Sequence, residues 1–182
     1  MASPPEQPVL ILSGPPGAGK TTVARLLAED VERSVQLESD RFFHFISSGY
    51  LMPWRPEAHE HNRLVMRLAA NAAAGYAEAG YFTIVEGIIS PAWFFEPVRD
   101  RLRSTGRRVA YAILRAPLSV CVERAGEREP GGGLIEEVIE AIWPDFEELG
   151  DLERHVIDTG DADPGVVAER VRRALRSGAL DA

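Results

Sequence analysis

VLILSGPPGAGKTTVARLLAEDV, residues 9–31, is the stretch whose reading decides the fold. Val9 to Leu12 are four branched apolar residues with no polar alternation, the pattern of a central strand covered on both faces. Beyond the glycines, Val23, Ala24, Leu26, Leu27 and Val31 recur at helical spacing. Between strand and helix, Gly14 to Thr21 fits G-x-x-x-x-G-K-T in the context that gives this motif its meaning. Gly14, Gly17, Ala18 and Gly19 offer successive backbone N–H groups to an anion, and the helix N-terminus adds the positive end of its dipole. Lys20 brings a compact charge for β- and γ-phosphates, Thr21 a hydroxyl for Mg²⁺, and Thr22 follows in the same helical turn.

Composition supports this placement independently. The chain has 182 residues, and of its 20 basic residues Lys20 is the only lysine. A sequence that uses arginine everywhere else keeps lysine where a broad guanidinium would not fit a tight backbone nest. The 28 acidic residues leave a net charge of -8, which argues against general binding to nucleic acid or anionic membrane. Much of that charge sits between Glu127 and Glu153, where ten carboxylates face one base, Arg128. The single cysteine, Cys121, excludes an internal disulfide and reads as a small buried side chain. No signal segment or membrane span is visible, so a soluble, cytoplasmic protein is expected.

The remaining chain repeats the alternation of strand and helix. Strands are expected at Val35–Leu37, Phe82–Val85, Arg108–Leu114 and His155–Ile157. Helices are expected at 57–79, with Leu64, Val65, Leu68, Ala72, Tyr76 and Ala79 on its apolar side, then at 93–103, from 117 and at 165–175. Glu86 to Pro91 reads as a loop, EREPGGG as a hinge or lid within 124–134, and acidic helical material runs to Leu152. Five strands in this alternation predict an α/β three-layer sandwich around a parallel sheet, one domain over 1–182 with residues 1–8 as a flexible lead.

Two strand-end carboxylates stand out. Asp40 ends the second strand, where an open parallel sheet faces its ligand crevice, and suits a base for an attacking hydroxyl. Glu86 directly follows the third strand and suits Mg²⁺, through water, or substrate hydroxyls, with Gly87 beside it for close approach. Arg124 and Arg128 share one helix face before the glycine-rich hinge and suit charge on a transferring phosphoryl group. GPPGAGKTT, Asp40, Glu86, the arginines of RAGER and the late DTGD turn together resemble the small P-loop kinases. Among these compact AAA-type ATP-binding proteins, the likeness is greatest to the chloramphenicol phosphotransferase-like group. The resemblance implies a five-stranded sheet and transfer of a γ-phosphoryl group from ATP or GTP, with Mg²⁺. It makes Lys20, Asp40, Arg124 and Arg128 catalytic and sets Asp158 and Thr159 beside the nucleotide base.

From Arg41 to Arg67 the chain places Arg41, Phe42, His44, Phe45, Tyr50, Trp54, Arg55, His59, His61, Asn62 and Arg63 beside the expected crevice, a mixture of rings and donors suited to a ring-bearing hydroxylated acceptor. The expected activity is an O-phosphotransferase acting on a small molecule, an antibiotic or a nucleoside-like compound. The alternative is a regulatory ATP-binding switch with no such acceptor. Partners are then nucleotide and small substrate rather than nucleic acid or membrane, with monomer and homodimer both open.

Overall fold

The computed structural model describes residues 7–128 and 133–182, and all their side chains except those of 128 and 133–135. Residues 1–6 of the expected lead and 129–132 of the expected lid lie outside the described residues. Strands β1 (Val9–Ser13), β2 (Ser34–Glu38), β3 (Phe82–Gly87), β4 (Val109–Arg115) and β5 (Val156–Asp158) form one parallel sheet in the order β2-β3-β1-β4-β5. The helices are α1 (Lys20–Glu29), α2 (His59–Glu78), α3 (Phe95–Arg103), α4 (Leu118–Arg128), α5 (Gly133–Ile142) and α6 (Pro164–Ser177). The expected α/β sandwich is therefore what the chain adopts.

β1 is central, and its pleat divides the core. Leu10 and Leu12 join Ala24, Leu27, Val167 and Val171 beneath α1 and α6, while Val9 and Ile11 join Met66, Ala70, Val98 and Leu102 beneath α2 and α3. Each such aliphatic side chain, fully buried, stabilises the fold by about 1.5–3 kcal/mol. The continuous apolar run is thus explained by helices on both sheet faces.

Element ends depart from the sequence reading in instructive ways. Glu86 and Gly87, expected in a loop, close β3 in register with Leu12 and Ser13 of β1. The acidic stretch is not one helix: α5 gives way to 3-10 turns at Trp143–Phe146 and Gly150–His155. Arg115 ties these turns to the sheet by donating to Phe146 O and Glu147 O at 3.1 Å and to Glu153 at 2.8 Å.

The apolar side expected for α2 is a correction. Leu64, Leu68, Tyr76 and Ala79 face solvent; Val65 with Met66, Ala69, Ala70, Ala73, Ala74 and Ala77 is buried. Small side chains let this helix lie close to the sheet and α3, so alanine rather than leucine marks the inner face. Gly80, at φ 87°, stops α2 as expected: its N–H donates to Ala77 O and that of Tyr81 to Tyr76 O, satisfying the last carbonyls.

Candidate active site

The site is built on the C-terminal ends of β1, β2 and β3. Gly14, Gly17 and Gly19 all have positive φ, at 146°, 80° and 91°. At Gly14 a Cβ would sit 2.2 Å from Leu114 O, and at Gly17 2.2 Å from Cys121 O, so β4 and α4 close down on the loop from behind. Gly19 has open space around it and needs glycine for its backbone conformation alone. The buried Cys121 serves here as a packing surface, as its composition reading expected.

Lys20 Nζ donates to Gly14 O and Pro15 O, each at 2.9 Å, placing the ammonium over the glycine-rich turn. The Thr21 hydroxyl donates to Glu86 Oε2 at 3.1 Å. Gln36 Nε2 donates to Glu86 Oε1 at 2.6 Å and to Thr21 O at 3.3 Å. Glu86 is 2% exposed, and that burial raises its pKa against the opposing effects of Gln36, Lys20 and Thr21. Gln36 was not singled out from sequence, although a polar residue two before Glu38 in SVQLE shares its strand face.

Asp40 is the second residue of the 3-10 turn Ser39–Phe45 directly beyond β2. Asp40 is solvent-exposed, while protein packed around its position in the cavity lining displaces part of its water. That loss of surrounding water raises its pKa; Lys20 and His44 pull it down and Glu38 adds to the rise. Gly87 matters through space rather than dihedral freedom: a Cβ there would lie 1.9 Å from Ser39 Oγ. The glycine lets the residue before Asp40 lie against the end of β3.

These groups open into one cavity of about 740 Å³. Gly17, Gly19, Lys20, Thr21, Asp40, Trp54, Glu86 and Gly87 line it, so most of the phosphate loop, both strand-end carboxylates and one expected aromatic come together. His44 and Tyr50, expected on the acceptor side, also line it, as do Glu38, Trp93 and Asp145, which were not among the expected site residues. Tyr50 packs edge-on to Phe43 and His61, with ring centroids 6.4 and 5.9 Å apart, and Trp93 packs on Phe94 at 5.0 Å. Phe94 itself adopts φ 63°, a costly conformation for an aromatic residue, next to that wall.

Other expected acceptor residues are not brought to the cavity. Arg41 reaches back to Glu38 at 2.7 Å, Arg55 to Glu57 at 3.7 Å and Arg63 to Glu60 at 3.3 Å, all three arginines well exposed. Phe45 is 76% exposed and packs on Phe42. His59 stacks on Phe94 behind the wall, and Asn62 is buried with Nδ2 donating to Pro53 O at 2.7 Å.

On the nucleotide side, Arg124 donates to Gly160 O and, at 3.4 Å, to Thr159 O, bridging α4 to the turn after β5. The Thr159 hydroxyl donates to Ala18 O at 3.1 Å, fastening that turn to the phosphate loop. Asp158 is exposed and its Oδ1 accepts from Gly160 N–H. Thr22 is half-buried in the first turn of α1. Arg128 ends α4, but its side chain lies outside the described residues.

The sequence profile of the family described as AAA domain matches residues 9–149. The chain belongs to this AAA domain family. Its P-loop fold is shared with solved structures over nearly the full length of both partners. A Deinococcus radiodurans tunicamycin resistance protein is 23% identical, with TM-score 0.70, over 94% of this chain and 96% of that one. A sugar kinase from Janibacter sp. is 22% identical, TM-score 0.66, over 97% and 99%. Shikimate kinase from Acinetobacter baumannii, solved with shikimate, is 21% identical, TM-score 0.61, over 96% of each. At such identities the likeness concerns the fold. No curated protein matches the chain by sequence.

Proposed function

We propose that this AAA domain protein is a single-domain kinase that transfers the γ-phosphoryl group of ATP or GTP to a hydroxyl of a small molecule. The observation that carries the reading is that Lys20 of the phosphate loop and Asp40 line the same cavity, whose lining also includes Tyr50, Trp54 and Trp93. The resemblance to the chloramphenicol phosphotransferase-like group and the fold shared with other P-loop kinases support it. An antibiotic or a nucleoside-like compound is the acceptor this resemblance favours, in a cytoplasmic setting.

In the proposed reaction the acceptor oxygen bonds to the γ-phosphorus as the bond to the β,γ-bridging oxygen breaks. The hydroxyl proton passes to Asp40, and the nucleoside diphosphate leaves with the bonding electron pair. Crowding that raises the pKa of Asp40 makes its carboxylate a better proton acceptor than an ordinary surface aspartate. Lys20 exchanges its carbonyl partners for phosphate oxygens, and Arg124 and Arg128 add positive charge from α4.

Thr21 and Glu86 fit Mg²⁺, a hard cation that takes oxygen ligands, keeps several waters and shares its sphere with nucleotide phosphates. Among the described residues no cluster of three or more His, Cys, Asp or Glu side chains forms a closed metal cage, in keeping with such a shared site. Bound there, the ion would neutralise charge on the β- and γ-phosphate oxygens.

The test is to incubate the full chain with Mg²⁺, ATP or GTP and hydroxylated compounds including chloramphenicol and nucleosides. Mass spectrometry and phosphorus NMR should reveal a phosphomonoester, and Asp40→Asn should remove it while nucleotide binding persists. A protein that binds nucleotide, phosphorylates nothing and captures a protein partner only with nucleotide would establish the regulatory switch instead.

A further inference from the structure

The cavity sorts charge in an unexpected direction. Arg41, Arg55 and Arg63, expected on the acceptor side, each pair with a glutamate instead, Arg41 with Glu38 of the cavity lining. Among the described residues, the cavity's charged lining is Lys20 against Glu38, Asp40, Glu86 and Asp145. Lys20 belongs to the phosphate loop and Glu86 is engaged by Gln36 and Thr21, so neither answers a charge on the acceptor. Glu38 is balanced by Arg41, so an anionic acceptor would meet the carboxylates of Asp40 and Asp145, at a cost that a partly enclosed, low-dielectric space increases.

The same wall offers what a cation uses. Tyr50, Trp54 and Trp93 line the cavity, and so does Asp145, whose Oδ2 accepts from the Ser90 hydroxyl at 3.2 Å. Aromatic faces together with a carboxylate form the environment that attracts an ammonium group. Behind Pro53, a lining residue, Asn62 Oδ1 is buried without a hydrogen-bond partner, as is His61 Nε2 next to it.

On the kinase reading above, we infer that the acceptor is a cationic, ring-bearing amino alcohol. Its ring packs against Tyr50, Trp54 and Trp93, its ammonium faces Asp145 and its hydroxyl faces Asp40. Asp145 thereby sets specificity through charge and takes no part in proton transfer.

Three probes that share a phenyl ring and a hydroxyl but differ in charge test this: phenylalaninol (cationic), N-acetylphenylalaninol (neutral) and phenyllactate (anionic). Binding to the full chain is followed by calorimetry without nucleotide, and phosphoryl transfer is followed separately with Mg²⁺ and ATP. Phenylalaninol should bind about tenfold or more tightly than phenyllactate, the factor that a cation–π contact and a partly shielded ion pair supply. Asp145→Asn should cut the affinity for phenylalaninol and leave that for N-acetylphenylalaninol unchanged, with the melting temperature retained.

Equal binding of all three probes, tighter binding of phenyllactate, or an Asp145→Asn effect on cationic and neutral probes alike would overturn the inference. Charge-selective binding with no phosphoryl transfer to any acceptor would keep the inference about the pocket and sink the kinase reading.

Discussion

Thr21 and Glu86, 65 residues apart in sequence, meet through a 3.1 Å hydrogen bond that joins the first turn of α1 to the end of β3. Gln36 holds the other carboxylate oxygen from β2, so three elements converge on one buried acid. This convergence ties the phosphate loop to the acceptor side of the cavity.

Glu86→Gln is expected to uncouple these roles. The amide keeps the volume and one acceptor oxygen but removes the charge, so Mg²⁺-dependent turnover should fall by about 10²–10³, the range for losing one organised electrostatic contact. Half-maximal turnover should also need more Mg²⁺. Because burial already disfavours the ionised acid, the melting temperature should stay the same or rise. Metal titrations of turnover beside thermal melts decide the matter, and an unchanged Mg²⁺ requirement would remove Glu86 from the metal site.

Gly17 and Gly19 should respond differently to alanine. At Gly17 the new methyl carbon meets Cys121 O at 2.2 Å, backbone that cannot yield cheaply, in addition to an unfavourable φ. At Gly19 only the dihedral strain remains, about 1–2 kcal/mol. Gly17→Ala should therefore displace the loop from α4, abolishing nucleotide binding and lowering the melting temperature well beyond the effect of Gly19→Ala. Calorimetric nucleotide titrations and melts of the two variants check the contrast.

Much of this arrangement was legible because the phosphate loop demands special chemistry in consecutive residues, and because a strand-end position constrains where Asp40 and Glu86 lie. The acceptor side was less legible. Arg41 and Arg63 sit three residues from Glu38 and Glu60 and pair with them locally, which leaves neither guanidinium among the cavity lining. Leu64, Leu68 and Tyr76 obey helical spacing as well as the true inner face does. What chose the alanine face was close packing against the sheet, which periodicity does not register. Gln36 and Asp145 acquire meaning only from Glu86 and Ser90, which are remote in sequence.

The pH dependence of transfer should report Asp40. The base must be ionised to accept the proton, so kcat/KM should fall as pH drops through its pKa. Because its raised pKa lies above the ordinary aspartate value, that acid limb should appear at higher pH than a surface aspartate would give. Asp40→Asn should lower the rate by about 10²–10⁴ and erase the limb, with nucleotide affinity retained. A limb that survives in the variant would belong to another group.

His155 predicts a separate response in stability. It is fully buried, its ring contacts Tyr111 O through Nδ1 at 3.0 Å, and Nε2 accepts from Arg154 Nε at 3.1 Å. An acceptor role for Nε2 leaves the proton on Nδ1, so the folded state holds a neutral ring with no ready site for a second proton. Burial, reinforced by Arg154, lowers its pKa although the Tyr111 carbonyl opposes the shift. The unfolded chain, with a histidine pKa of about 6.5, then binds a proton more readily than the folded chain does. Stability is complete above that value and declines as pH falls below it, until the folded-state pKa is reached and the loss levels off. His155→Gln should lower stability at neutral pH through imperfect packing but flatten its decline between pH values of about 6.5 and 5. Denaturant melts across that range compare the slopes, and an equally steep decline in the variant would assign the acid sensitivity to other groups.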